Sequence, residues 1–245
     1  MARFFCIFSW AVMIFCFSVA EAMGQQNQAF EGLIEPSEVV EVSSQVPGIL
    51  DEITVERGDR IKTGQVIARL VSGIEKAAVD LALARVEFGK RKVQRNEDLY
   101  QKKLISVHDK DEMETELKIT QLQLREAEEK LKLRTIRGPI DGVVIERLLS
   151  PGEYVGENAI MTIARIDPLY VEVVVPVEKF GRIAKGMRAV VIPELPIRGR
   201  YVAEVIIVDR VIDAASGTFG VRLELPNSGY KLPAGLKCKV FFPIE

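Results

Sequence analysis

The stretch IEKAAVDLALARVEFGKRKVQRNEDLYQKKLISVHDKDEMETELKITQLQLREAEEKLKLR, Ile74 to Arg134, contains no proline and one glycine, Gly89. Everything around it is punctuated by both residues, so this stretch is helical and its surroundings are not. Its second half has a clear period. Met113, Leu117, Thr120, Leu124, Ala127 and Leu131 step by alternating four and three residues, a heptad seam, while the other faces carry Glu, Lys, Arg and Gln. In the first half, Ile74, Ala78, Leu81, Phe88 and Leu99 follow a similar seam, interrupted by Arg85, Lys92 and Arg95. Between the halves, Lys102-Lys103-Leu104-Ile105 is followed by Ser106-Val107-His108-Asp109. That tetrapeptide fits a capping box: a hydroxyl that accepts from first-turn amides, and an acid three residues on that accepts in return. A connection this short predicts two antiparallel helices, each about 40 Å long at ~1.5 Å per residue. A hairpin of that length projects from whatever body carries it.

The sequences on either side of the hairpin repeat each other. Gly48-Ile49-Leu50 begins ten residues before Gly58-Asp59-Arg60-Ile61, and Gly142-Val143-Val144 begins ten residues before Gly152-Glu153-Tyr154-Val155. Ala68-Arg69-Leu70 closes the first half and Ala164-Arg165-Ile166 the second. Both halves have β texture, with apolar runs bounded by glycine and proline. The repeat predicts a pseudo-symmetric sandwich of two hairpin units, split by the helical insertion, with the two points of insertion side by side. Beyond Pro168, short apolar runs at Leu169–Val175, Ala189–Ile192, Tyr201–Val208, Phe219–Leu225 and Cys238–Phe242 predict a small barrel or sandwich. Phe30–Ile34 is positioned to add a strand to it.

The 245 residues carry a net charge of −2, with 48% hydrophobic and 28% charged residues. That balance suits folded domains and lacks the basic excess of a nucleic-acid binder. The N-terminus stands apart. Arg3, the apolar run Phe4–Ala20 and the pattern Ala20-Glu21-Ala22 describe a secretory signal cleaved after Ala22, with an uncleaved membrane anchor as the competing reading. Cleavage removes Cys6 and Cys16 and leaves Cys238, which alternates with apolar neighbours as a small core residue does. His108 is the single histidine and has no cysteine near it in sequence, so no metal-ligand cluster assembles around it. There is no nucleophile elbow, phosphate loop or dinucleotide fingerprint. The acids at Glu112, Glu114, Glu116, Glu126, Glu128 and Glu129 alternate with bases and read as an ion-paired helix face. The sequence predicts no enzyme, no cofactor and no metal site.

Two matched β halves with an inserted coiled coil resemble the periplasmic adaptors, or membrane fusion proteins (HlyD-like), of tripartite efflux and secretion systems. Gln45-Val46-Pro47-Gly48 through Gly64-Gln65 resembles the family's first lipoyl half-motif. Ile136 through Val144, with Pro151-Gly152, resembles the second. Asp213–Arg222 and Asn227 through Leu236 resemble the closing strands of its β-barrel. The resemblance implies a mainly β chain with a coiled-coil hairpin: a signal at 1–22, a split lipoyl-like (barrel-sandwich hybrid) domain at 38–73 and 135–166, the hairpin at 74–134, and a β-barrel at 26–37 and 167–245. Arg95, Leu99 and Ser106 have the spacing of the family's hairpin-tip residues, which implies docking to an outer-membrane channel of TolC-like type. It also implies an inner-membrane transporter of RND or ABC type, a periplasmic location at the inner membrane, and a homo-oligomer, trimer or hexamer. Many relatives of the RND pumps continue into a membrane-proximal domain, which the sequence, read as ending with the barrel, is not expected to have. The lysine-bearing turn of lipoyl carriers is here replaced by the hairpin, which argues against a carrier. A stand-alone envelope scaffold or regulatory binder of the same fold is the other alternative. Nothing in the sequence names a cargo.

Overall fold

The computed structural model describes residues 28–244. The signal and its cleavage site at Ala20 and Ala22 lie outside the described residues. The chain order is β1 (Ala29–Val42), β2 (Gly48–Ile53), β3 (Arg60–Ile61), β4 (Val66–Leu70), α1 (Gly73–Gln101), α2 (Val107–Lys132), β5 (Thr135–Arg137), β6 (Gly142–Arg147), β7 (Tyr154–Val155), β8 (Met161–Pro176), β9 (Arg188–Pro193), β10 (Tyr201–Val208), β11 (Thr218–Leu225) and β12 (Leu236–Phe241). It divides into two compact units. One holds Pro36–Leu169 with Asn227–Ala234. The other holds the described residues up to Glu35, Tyr170–Pro226 and the described residues from Gly235.

The first unit is the sandwich with its hairpin. Four strands pair in the order β5-β4-β2-β7, while β3 pairs with β6 and β6 with β8. Leu50, Ile61, Ile67, Leu70, Val144, Ile160 and Ile163 pack in its core. The sequence repeat is written into the hydrogen bonds. Gly58 N donates to Val144 O (2.8 Å) and Val144 N to Asp59 O (3.0 Å). In the other half, Gly152 N donates to Leu50 O (2.7 Å) and Leu50 N to Glu153 O (2.9 Å). Each half's glycine–acid turn thus clasps the equivalent strand residue of the other half. The acids repeat the pattern: Asp59 accepts from Glu56 N (2.8 Å) and Glu153 from Ser150 N (3.0 Å). Both turn glycines have positive φ, +93° at Gly58 and +90° at Gly152, where a side chain is strained. Gly142 is glycine for another reason: a Cβ there would collide with the Ala164 carbonyl across the β6–β8 ladder.

Residues 227–234 form no strand and pack with this unit although β11 and β12 flank them. Buried Asn227 holds them. Its Nδ2 donates to Ile166 O (2.8 Å) and Leu232 O (2.9 Å), its Oδ1 accepts from Leu232 N (2.9 Å), and its backbone N donates to Asp167 Oδ1 (2.9 Å). A buried amide with every group satisfied fixes a loop more sharply than apolar contact does. Arg60 adds to the hold, donating to Gly229 O (3.2 Å) with its guanidinium over the Tyr230 ring (4.5 Å).

The second unit is a closed six-stranded barrel in the order β1-β12-β9-β10-β11-β8, with β8 pairing back to β1. Strict alternation along β11 sends Phe219, Val221, Leu223 and Leu225 inward. Val171, Val173 and Val175 of β8, Val191, Val205 and Val240 meet them in the core. Phe30 joins the barrel as expected, pairing with Val240 and stacking edge-on against Phe242 at 5.6 Å. Cys238 is a core residue, and burial pushes its thiol up to about 11.

Candidate functional site at the hairpin tip

The hairpin is anchored at its base. Arg134, just past α2, donates to Glu75 in the first turn of α1 (2.6 Å) and to the Pro47 carbonyl of the sandwich (2.9 Å). Both side chains of the pair are mostly shielded from water, so their attraction is less screened than that of a surface pair.

Along α2 the six expected seam residues, Met113 through Leu131, are each half-buried among exposed neighbours. The seam expected on α1 is displaced by one residue. Ile74, Ala78, Leu81, Phe88 and Leu99 are all exposed, and the buried or half-buried stripe of α1 runs instead through Glu75, Val79, Ala82, Val86, Gly89, Val93, Asn96 and Tyr100. The reason is physical. A seam through Ile74 and Phe88 would bury Arg85, Lys92 and Arg95, whereas the shifted seam leaves Arg85 and Arg95 exposed and Lys92 half-buried with Glu116 as its partner. It also places small residues where the helices approach. A Cβ at Gly89 would already touch Leu117 Cδ1 at 3.2 Å.

Towards the tip the seam turns polar. Asn96 Nδ2 donates to Lys92 O (2.8 Å) and meets Met113 Sδ (3.3 Å). Lys110 pairs with Glu97 (3.2 Å) and lies over the Tyr100 ring (4.4 Å). The hydrogen bond from Glu97 raises the Lys110 pKa above its ordinary value. Lys92 pairs with Glu116 (2.7 Å) on one flank. These contacts fix register where apolar packing is thin.

α1 ends in a Schellman turn. Leu104 N donates to Leu99 O and Lys103 N to Tyr100 O, both at 2.8 Å, with Lys103 left-handed at φ 58°. α2 begins with the expected capping box. Ser106 Oγ accepts from Asp109 N (3.1 Å), and Asp109 Oδ2 accepts from Ser106 N (2.9 Å) and Ser106 Oγ (2.7 Å). The Ser106 hydroxyl and then its backbone N–H hold the Asp109 carboxyl below the usual carboxylate range. Two fixed caps make the tip a defined surface rather than a loose loop.

Arg95, Leu99 and Ser106 are all exposed in this region. Arg95 Nε donates back to Arg91 O (3.3 Å), and Leu99 is 37% exposed. Sequence reasoning missed two apolar residues here, Leu104 (67% exposed) and Val107 (59%). The available signal was the presence of large apolar side chains in a connection that lies outside either seam. The acids of α2 pair locally, as Lys130–Glu126 and Lys132–Glu129 at 2.7 Å each. Among the described residues no group of three or more His, Cys, Asp or Glu is placed to hold a metal, and no helix is long and apolar enough to cross a membrane.

A barrel-sandwich split by an antiparallel coiled coil, together with a closed six-stranded barrel, is the fold of the membrane fusion proteins. The chain belongs to the family described as CzcB-like, barrel-sandwich hybrid domain, whose model matches residues 38–165. It is 24% identical over 190 residues to the cobalt-zinc-cadmium resistance protein CzcB of Cupriavidus metallidurans, covering 70% of this chain and 36% of that one. It is 24% identical over 217 residues to the solvent efflux pump periplasmic linker SrpA of Pseudomonas putida, covering 81% of this chain and 56% of that one. A MacA-MexA chimera carrying the MexA α-hairpin of Pseudomonas aeruginosa superposes with a TM-score of 0.74 at 20% identity, covering 89% of this chain and 79% of that one. The chain spans about a third to three fifths of the length of the curated relatives it matches.

Proposed function

We propose that the protein is a non-catalytic periplasmic adaptor that links an inner-membrane transporter of RND or ABC type to a TolC-like outer-membrane channel, and acts in several copies, as a trimer or hexamer. Its working parts are the split lipoyl-like domain (38–73 and 135–166), the hairpin (74–134) and the barrel (26–37 and 167–245). The observation that carries this reading is the hairpin tip. Arms of about 40 Å present a doubly capped end on which Leu99, Leu104 and Val107 are exposed apolar knobs, with Arg95 and Ser106 beside them. Exposed apolar residues on a rigid end suit a helical partner surface, and a guanidinium adds directional donors. Family membership and the efflux role named for the SrpA relative support the same reading.

The test is substitution at the tip in cells. Leu99→Asp and Arg95→Asp abolish export and channel cross-linking while leaving the amount of folded protein unchanged. Unchanged export with folded protein would favour the envelope scaffold instead.

A further inference from the structure

The connection between β9 and β10, Glu194-Leu195-Pro196-Ile197-Arg198-Gly199-Arg200, is held against the barrel. Glu194 N donates to Lys237 O of β12 (2.9 Å), and Tyr201 Oη donates to Arg198 O (3.5 Å). Gly199 backs onto the Tyr201 ring, where a Cβ would come within 2.9 Å of a ring carbon. Between this loop and the outer face of the barrel is a groove of about 650 Å³. Ile192, Leu195, Ile197, Arg198 and Lys239 contribute to its lining, and Glu194 is its one acid.

Two observations identify the ligand. The first is the apolar strip. Ile192 and Ile197 are half-buried and Leu195 is 75% exposed, so an alkyl chain laid along them takes apolar surface of both partners out of water. The second is unmatched charge. Arg198 on the loop and Lys239, the cross-strand neighbour of Ile192, are exposed, and neither is in an ion pair among the described residues. Glu31, opposite Lys239 on β1, makes no ion pair with it. On the hairpin, by contrast, Lys92, Lys110, Lys130 and Lys132 each have an acid. Two unpaired bases against one acid, beside an apolar strip, complement a molecule with one alkyl chain and one anionic head. The volume lies within the ~300–1,000 Å³ of small-ligand sites. A groove receives a single chain, whereas a bilayer is met by protruding side chains.

We propose that this groove binds a free single-chain amphiphilic anion, an alkyl carboxylate, with its chain along Ile192, Leu195 and Ile197 and its head group held by Arg198 and Lys239. The site is built by the barrel alone and does not depend on the adaptor reading.

The test is titration of the chain, isolated from cells without detergent, with sodium dodecanoate below its micelle concentration, followed by calorimetry and by NMR amide shifts. The expected result is saturable binding of one dodecanoate per chain, with shifts centred on residues 192–199 and 239. Affinity falls about two- to fourfold for each methylene removed on going to decanoate and octanoate, fourfold being full burial of a methylene. Dodecyltrimethylammonium, with the same chain and a cationic head, binds at least about tenfold more weakly. Arg198→Gln combined with Lys239→Gln lowers dodecanoate affinity about tenfold and leaves thermal unfolding unchanged. Arg198→Gln alone, on an exposed loop, gives the same direction if the double variant disturbs the barrel. Equal binding of the two head groups, unchanged affinity in the glutamine variants, or shifts centred on the hairpin each overturns the proposal. So does binding to phosphatidylglycerol vesicles with none to monomeric dodecanoate, which would assign the surface to a bilayer.

Discussion

Val86 and Phe88 lie two residues apart on α1 and make opposite predictions. Val86 is 3% exposed in the seam with α2, and Phe88 is 58% exposed outside it. Val86→Ala removes two buried methyl groups. At ~0.8 kcal/mol each, with a partial cavity term added, the hairpin loses about 2 kcal/mol. Because ~1.4 kcal/mol is tenfold, opening of the coiled coil rises roughly 30-fold. Phe88→Ala takes away a larger side chain, yet in a single dilute copy it changes stability by no more than about 0.5 kcal/mol, because most of that ring is already in water. Native-state amide hydrogen exchange across residues 117–124 of α2 reads this directly. Val86→Ala speeds exchange there and Phe88→Ala leaves it unchanged. The reverse order would refute the shifted seam and restore the one through Ile74, Leu81 and Phe88.

Other consequences follow from single contacts. Ser106→Ala removes the tip cap at a cost of about 1 kcal/mol to α2, seen as faster exchange in its first turn. The same change moves the Asp109 titration, followed by NMR, upward toward the ordinary carboxylate range, with the bond from the backbone N–H of residue 106 retained. Because the folded pKa of Asp109 is depressed, its contribution is present above the unfolded value of 3.8 and is lost as pH falls through the folded one, so the tip frays only in acid. Asn227→Ala leaves the Leu232 amide and the Ile166 and Leu232 carbonyls without their partner and lowers stability by about 3 kcal/mol in urea unfolding, while an exposed control such as Gln94→Ala in the hairpin leaves that transition in place. Cys238, with its thiol pushed up to about 11, resists alkylation at pH 8 until the barrel is unfolded, and rapid labelling of the native protein would contradict its place in the core.

The fold was legible because its signals are local. Glycines ten residues apart mark two equivalent turns, and Gly58 and Gly152 take the positive φ that makes the pattern a requirement. Ser106 and Asp109 announce a capping box through chemistry confined to one turn. The seam of α2 was legible because its faces differ sharply. That of α1 was not, because two heptad stripes run side by side and the one that packs carries Ala82 and Gly89 while the exposed one carries Leu81 and Phe88. Size suggests burial, but close approach of helices selects small residues. The packing of residues 227–234 was equally hidden, since an Asn hub looks like any turn asparagine until its partners from Ile166 and Asp167 arrive through the fold. At the tip, the spacing of Arg95, Leu99 and Ser106 was visible, while Leu104 and Val107 gain meaning only when the caps show that they protrude.

The most direct measurement of the adaptor role is photo-cross-linking in cells from an unnatural residue at Leu99, with products identified by mass spectrometry and Phe180 on the barrel as a second site. The adaptor role predicts an outer-membrane channel captured from Leu99 and an inner-membrane transporter captured from Phe180. Capture of the same envelope protein from both sites, or of none from Leu99 while the hairpin is folded, would contradict it.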